Sequence, residues 1–154
     1  MCLQAVHTTY DKPQAGIHVG YKVMRPKGRA RWGHEMYYSG KLLVQGEWRT
    51  NRHHGKIYMD EGGKYDAGFH VFTTPEAVWS YGGHYSYGRL VVVFYTNVTV
   101  EGRQCNGTPA HDTDCVIAQK IMVVGRLYDM SQRTINRKLK TVIAEAKAKR
   151  NHRR

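Results

Sequence analysis

Two long runs of β-branched and aromatic residues dominate the second half of the chain. The first, Arg89–Val100, is apolar on both alternating faces over residues 90–95. A strand with two apolar faces is typical of the centre of a sheet, because both of its sides are covered. The second run, Cys115–Val124, has the same character and is followed by Gly125. We therefore predict two core strands, with residues 101–114 as the loop between them.

A strand that leads directly into a short helix is the clearest local unit. In residues 68–72 a strand is predicted, with Phe69 and Val71 on one face and His70 and Phe72 on the other. Thr74 has the side-chain oxygen that an N-cap requires, and Pro75 suits the first helical position. The helix is predicted to end before Gly82. Another short strand is predicted at residues 20–24.

The C-terminal segment has the periodicity of an amphipathic helix. Ser131 can act as its N-cap, and no glycine or proline follows it in the sequence. The apolar positions of this helix share one face and are Ile135, Leu139, Val142, Ile143 and Ala146. The pattern stops after Ala148, so residues 149–154 are predicted to form a frayed tail.

These elements predict an α+β fold: a single domain with a mostly antiparallel sheet, one short internal helix and a long basic C-terminal helix. Residues 1–128 form the predicted α+β domain. Residues 129–154 form the basic amphipathic helix and its tail. The sequence leaves open whether this helix belongs to the same domain or is an appendage.

Charge is concentrated at the C-terminus. The 154 residues include 24 Lys and Arg and 12 Asp and Glu, which gives a formal net charge of +12. Residues 133–154 carry nine basic residues and one acidic residue, so two thirds of the net charge lies there. The 41% hydrophobic content favours a packed core over disorder. No apolar run approaches the roughly 20 residues of a membrane span. Charge of one sign favours a polyanionic partner.

The N-terminal sequence and the cysteine content indicate a cytoplasmic protein. Residues 1–7 have neither a basic region nor a long apolar stretch, so we expect no signal peptide and no membrane partner. The number of cysteines is odd, and reduced thiols are expected. A Cys105–Cys115 bridge is the alternative.

Short motifs along residues 1–125 resemble a pattern in small uncharacterised proteins of phages and bacteria. The motifs are Met1-Cys2-Leu3, Lys12-Pro13, Tyr21-Lys22-Val23, Gly68-Phe69-His70-Val71-Phe72 with Ala77, and Val116-Ile117-Ala118. The basic helix lies outside this region. The resemblance implies a phage or prophage accessory protein, located in the host-cell cytosol if it is phage-encoded, and it implies no activity.

A second likeness is to the ADP-ribosyltransferase fold, where a strand ending in an aromatic residue enters a short helix, as Gly68–Ala77 does here. That fold implies an enzyme acting on a nicotinamide dinucleotide. Its first strand usually carries an Arg or a His, and Tyr21-Lys22 stands at that place in this chain. The catalytic Glu of the family would correspond to Glu101. The candidate catalytic residues are Glu101, from this likeness, and His70, from its position in the predicted strand.

His70 is open to two interpretations. It lies in a predicted strand between two aromatic residues, where it is either a hydrogen-bonded, half-buried structural histidine or a ligand-binding or acid–base histidine at a strand edge. The first interpretation is the more ordinary one, and it favours a protein that is not an enzyme.

No metal or cofactor site is predicted. One group of potential metal ligands precedes the last predicted core strand and includes its first residue. The group consists of Cys105, His111, Asp112, Asp114 and Cys115. Zinc sites usually contain closely spaced thiol pairs, and this group has none, so we predict a polar loop. Walker-type and Gly-x-Ser-x-Gly motifs do not occur in the sequence.

Cations and aromatic residues are interleaved over residues 25–89, and the basic helix adds further cations. Such a mixture suits single-stranded nucleic acid, whose bases stack on rings and whose phosphates bind cations. The predicted contact residues are Arg25, Arg29, Arg31, Trp32, Trp48, Arg49, Arg52, Lys56, Tyr85, Arg89, Arg133, Arg137, Lys138, Lys140 and Lys147. The alternative is a solvated basic surface.

Three functional hypotheses follow. The first is a non-enzymatic, phage-type accessory protein that binds nucleic acid or a ribonucleoprotein through the basic helix and the cation–aromatic loops, in host takeover or counter-defence. The second is an ADP-ribosyltransferase-like or RNA-cleaving enzyme that uses His70 and Glu101. The third is a protein-binding inhibitor of a host factor with an acidic surface.

Overall fold

A computed structural model describes residues 3, 5–34, 42–52, 55–59, 63–82, 88–104 and 113–152. The strands are Ala5–Gln14 (β1), His18–Pro26 (β2), Arg31–His34 (β3), Leu43–Val44 (β4), Trp48–Thr50 (β5), Lys56–Tyr58 (β6), Lys64–Asp66 (β7), Phe69–Phe72 (β8), Arg89–Gln104 (β9) and Thr113–Arg126 (β10). The helices are Pro75–Gly82 (α1) and Gln132–Asn151 (α2). This arrangement confirms the predicted α+β class with a mostly antiparallel sheet.

The sheet is built around its two longest strands, β9 and β10, which pair antiparallel along almost their whole length. β1 and β2 lie one after the other along the opposite edge of β9. β8 and β5 pair with successive stretches of β10. A further pairing between β2 and β8, through Tyr21 and Phe72, closes the sheet on itself. β3 and β4 extend the sheet beyond β2, and β6 and β7 form a separate hairpin.

Both faces of the sheet are apolar and buried. Val92 and Phe94 of β9 belong to a core that includes buried residues of α1, α2 and the β6–β7 hairpin. Val91 and Val93 belong to a second core on the opposite face, together with Trp32. Alternate residues of β9 therefore enter different cores, which confirms the prediction of a central strand apolar on both sides.

The strand–helix unit at β8 and α1 also agrees with the prediction. Thr74 Oγ1 accepts a hydrogen bond from the Ala77 amide at 3.2 Å, as an N-cap does. The helix begins at Pro75 and includes Gly82 as its last residue. None of the helices in the described ranges is both long and apolar enough to cross a membrane.

The sheet differs from the prediction in three places. β1 was not predicted at all, because it is an edge strand of mostly exposed residues without apolar alternation. The loop predicted over residues 101–114 is shorter, since β9 continues to Gln104 and β10 begins at Thr113. Gly125 does not end β10 but lies within it at a φ of 151°, next to a register shift that a glycine accommodates.

The C-terminal helix packs on the body of the protein through its N-terminal half. Ser131 Oγ accepts from the Thr134 amide at 3.2 Å, which confirms the predicted N-cap. Ile135 is buried, and Leu139 and Val142 pack against the core. The helix continues to Asn151, beyond the predicted stop after residue 148, because its last turn is built from strong helix formers without a breaker.

Candidate nucleic-acid interface

A groove lies between α2 and the strands β5 and β10. β5 pairs with β10 so that Trp48 stands opposite Met122, and Thr50 opposite Lys120. Because strand residues two apart share a face, Trp48, Lys120 and Met122 all face α2. The Lys120 ammonium lies 5.3 Å from the centroid of the Trp48 ring, within the range of a cation–π contact.

The groove, called the basic groove below, has a volume of about 730 Å³ and a charged lining of nearly one sign. Its charged lining residues are Lys120, Arg137, Lys138, Glu145, Lys149 and Arg150. In the described ranges none of these five cations is within 4 Å of a carboxylate, so their charges are available to a ligand. Trp48, half-buried, contributes an aromatic ring to the same lining.

Helical geometry explains why α2 presents this set. The residues of α2 that line the groove recur every three or four positions, from Arg137 and Lys138 through Thr141 and Glu145 to Lys149. Residues at this spacing share one face of a helix. The buried Ile135 and the partly buried Leu139 and Val142 fix the N-terminal half of that helix against the core. One wall of the groove is therefore a helix face held by its own apolar residues.

The turn between β2 and β3 lies beside one end of the groove. The Gln45 amide donates to the Ala30 carbonyl at 2.8 Å, and the next residue, Gly46, lines the groove. Arg29 and Arg31 are exposed in this region. The backbone of this turn is therefore close to the groove, but Arg29 and Arg31 are not among the residues that line it.

Two residues of the predicted contact set, one aromatic and one basic, do not face the groove. Trp32 is only 4% exposed and belongs to the core, with the Arg126 guanidinium 5.8 Å from its ring centroid. Because this ring is almost completely buried, a base cannot stack on it. Arg49 stands opposite Ile121 on β10 and therefore faces the side of the sheet opposite to Trp48.

The remaining predicted contact residues are distributed over the surface. Lys56 forms an exposed ion pair with Asp66. Arg89 donates to the carbonyl of Gly88 at 3.1 Å. The exposed residues that do not line the groove are Arg25, Arg52, Arg133, Lys140 and Lys147, and Tyr85 lies outside the described residues.

Sequence reasoning missed three cations of the groove. Lys120 lies in a strand that was interpreted as core, and only its pairing with β5 places it beside Trp48. Lys149 and Arg150 were assigned to a frayed tail but lie in the last turn of α2. If the predicted helix had been extended by one turn, Lys149 and Arg150 would have been assigned to the same face as Arg137 and Lys138.

Residues from three of the short sequence motifs converge on a buried polar cluster. The Leu3 amide donates to Tyr65 Oη at 2.8 Å, and Tyr65 Oη lies 3.0 Å from His70 Nε2. The Lys22 ammonium donates to the His70 carbonyl oxygen. Leu3, Lys22 and His70 come from three different motifs of the sequence, so the fold unites residues that are up to 67 positions apart.

Burial controls the protonation of this cluster. His70 is 5% exposed, and burial together with the nearby Lys22 charge lowers its pKa to about 3. Burial also lowers the pKa of Lys22 to about 8 and raises that of the Cys115 thiol to about 12. His70 is therefore neutral at pH 7, and Cys115, a free buried cysteine, is protonated. The alternative bridge involves Cys105, which lies outside the described residues.

The two candidate catalytic residues occupy different environments. His70 is enclosed with Tyr65, whereas Glu101 is exposed and accepts a hydrogen bond from Tyr10 Oη at 2.8 Å. The described contacts of the two residues share no partner. The described residues include no group of three or more His, Cys, Asp or Glu that would hold a metal ion.

Comparison with protein-family models, with curated proteins and with solved structures finds no match to this chain. The two resemblances drawn from sequence motifs therefore stay predictions.

Proposed function

We propose that this protein binds single-stranded nucleic acid in the basic groove, as a non-enzymatic accessory protein of phage type acting in the cytoplasm. The observation that carries the proposal is the position of Trp48 among five cations in one groove. Nucleic acid, free or within a ribonucleoprotein, is the polyanion that combines phosphates with flat aromatic bases.

Charge supports the choice of a phosphate ligand. Five cations and one carboxylate give the groove lining a net charge of +4 at pH 7. Lys and Arg side chains at such a density neutralise backbone phosphates and release their counterions. The lysines and arginines of α2 that face the groove lie along its last four turns, so phosphates of one strand would follow the helix.

The aromatic ring supports a single strand over a duplex. Trp48 lies on the groove wall, where a base from a single strand can stack on it. The bases of a duplex are already stacked on one another and do not reach a ring of this kind without being flipped out.

The test is a comparison of two double variants with the same charge change on the same helix. Arg137→Gln/Lys138→Gln removes two cations that line the groove, whereas Arg133→Gln/Lys140→Gln removes two exposed cations that do not. Binding is measured by fluorescence anisotropy with labelled 12-nucleotide oligo(dT) and oligo(U) at about 50 mM salt, where phosphate-driven affinity is strong.

We expect the groove variant to lose at least about tenfold in affinity and the control variant to lose no more than about threefold, since exposed charges far from a ligand are screened. Equal losses would show that only net charge matters. Absence of binding by the unmodified protein at that salt concentration would refute the proposal outright.

A further inference from the structure

A second cleft lies on the face of the sheet opposite to the basic groove, since Tyr95 of β9 lines the cleft and its neighbour Phe94 lines the groove. It has a volume of about 620 Å³, within the range of small-molecule sites. Its polar and aromatic lining residues are His7, Tyr10, Gln14, His18, Thr73, Tyr95, Glu101 and Asp114. Buried residues of β9 and β10, among them Val98 and Val116, complete the lining. We call it the Glu101 cleft.

The carboxylate of Glu101 is held in a defined position. Tyr10 Oη donates to its Oε1 at 2.8 Å, which ties β1 to β9 across the cleft. Within the described ranges no Lys or Arg is within 4 Å of this carboxylate. The second carboxylate, Asp114, faces Arg103 at 3.7 Å, an exposed and loose ion pair. Glu101 is therefore a positioned negative charge without a cationic partner among the described residues.

Aromatic rings line the same cleft as this carboxylate. Tyr95 is 7% exposed, and its ring centroid lies 5.4 Å from that of His18 in a tilted arrangement. Burial first, and then the charge of Glu101, raise the pKa of Tyr95 to about 12, so its hydroxyl stays protonated and can donate or accept. Aromatic rings next to a carboxylate attract a desolvated organic cation.

The charge of the cleft contrasts with that of the whole chain. The described lining contains two carboxylates and no lysine or arginine, in a protein with a net charge of +12. A nucleic-acid backbone would be repelled from such a surface. A metal ion is disfavoured because the described residues include no group of three or more suitable ligands.

From this cleft we propose a binding site for an organic cation, a guanidinium or ammonium group, paired with Glu101 and flanked by Tyr10 and Tyr95. The proposal does not depend on the proposed function of the basic groove. The pairing is a charge-assisted hydrogen bond of the kind that Arg and Lys side chains form with carboxylates.

The experiment uses the full chain and a matched pair of small probes. N-acetyl-L-argininamide carries one guanidinium, and N-acetyl-L-citrullinamide is its neutral analogue of nearly the same shape. Binding is followed by titration calorimetry and by the amide NMR signals of Glu101 and Gly102. Glu101→Gln removes the charge but keeps an oxygen that accepts from Tyr10. Glu47→Gln is the same change at an exposed position outside the cleft.

We expect saturable millimolar binding of the arginine probe, a loss of at least about tenfold in Glu101→Gln, and no change in Glu47→Gln. Equal binding of the citrulline probe, an unchanged affinity in Glu101→Gln, or no binding up to about 10 mM would overturn the proposal. Spermidine and the peptide acetyl-Gly-Arg-Gly-amide then distinguish the source of the cation. Tighter binding of spermidine indicates a free amine, and tighter binding of the peptide indicates a side chain of another protein.

Discussion

At the scale of single residues, His70 shows how burial selects between two roles that a sequence leaves open. Tyr65 Oη accepts from the Leu3 amide at 2.8 Å, and the same hydroxyl can donate to His70 Nε2, which lies 3.0 Å away. A neutral imidazole accepts that bond, and a protonated one does not. The pKa of about 3 agrees with this arrangement, since a buried imidazolium would lose solvation beside the Lys22 ammonium. At neutral pH, His70 of β8 therefore links β8 to β2 through Lys22 and to β7 through Tyr65.

This predicts a specific dependence of stability on pH. The pKa of His70 is about 3 when folded, against 6.5 as the ordinary value, so between these pH values the unfolded chain binds a proton that the folded chain does not. The free energy of unfolding must then rise with pH across this window, by up to about 1.4 kcal/mol per pH unit from this group. His70→Gln keeps a partner for Tyr65 and removes the titration, so its slope is expected to be smaller by up to that amount.

Urea unfolding at several pH values from 4 to 6.5 measures both slopes. His152→Gln is the control, because it is the same substitution at an exposed position at the end of α2, outside the buried cluster. Identical slopes for the unmodified protein and His70→Gln would mean that His70 is protonated in the fold.

Substitution of Trp48 measures the contribution of base stacking to binding separately from that of charge. Base stacking on an aromatic side chain is worth about 1–3 kcal/mol, so Trp48→Ala is expected to weaken oligo(U) binding about 5- to 150-fold. Binding of inorganic polyphosphate, which has phosphates and no bases, is expected to change little. Trp48→Phe retains a ring and is expected to recover most of the affinity for oligo(U). If both polymers lost affinity equally in Trp48→Ala, the ring would have only a packing role.

At the scale of elements, the parts that follow from local chemistry were predictable and those that depend on pairing were not. The cap at Thr74, the proline at the first turn of α1 and the cap at Ser131 act within four residues, and the structure has all three. β1 is stabilised by pairing with β9, a contact between segments about 90 residues apart that leaves no periodic signal in an exposed strand. The wall of the groove formed by α2 could be predicted from helical periodicity. The position of Lys120 beside Trp48 could not, because it depends on the register between β5 and β10.

The packing of α2 gives a prediction for the element as a whole. Ile135 is 1% exposed among core residues, so Ile135→Ala is expected to lower the free energy of unfolding by about 2–4 kcal/mol. Ile143→Ala makes the same change at a partly exposed position of the same helix and is expected to cost about half as much or less. Because α2 shares the core of the sheet, helix loss and tryptophan fluorescence are expected to report one coincident transition. A helix signal that melts separately, with the sheet unaffected by Ile135→Ala, would show that α2 is an appendage.

At the scale of the whole molecule, the charge of +12 is organised into surfaces of opposite sign. The groove under α2 is lined by cations, and the Glu101 cleft by carboxylates without a described lysine or arginine. Net charge alone predicts attraction of any polyanion to any part of the surface, with an affinity that depends on the total. The geometry predicts instead that phosphates bind where cations and Trp48 are concentrated.

The salt dependence of binding distinguishes these two descriptions. For single strands, the slope of log K against log salt concentration is about −0.7 for each phosphate neutralised, so a groove with five cations predicts a slope of about −3.5. Arg137→Gln/Lys138→Gln is expected to reduce the steepness by about 1.4, and Arg133→Gln/Lys140→Gln to leave it nearly unchanged, since its cations do not line the groove. Oligo(U) titrations between about 30 and 200 mM salt measure the three slopes. If binding is instead spread over the whole basic surface, the two variants, which have the same net charge, will give the same slope.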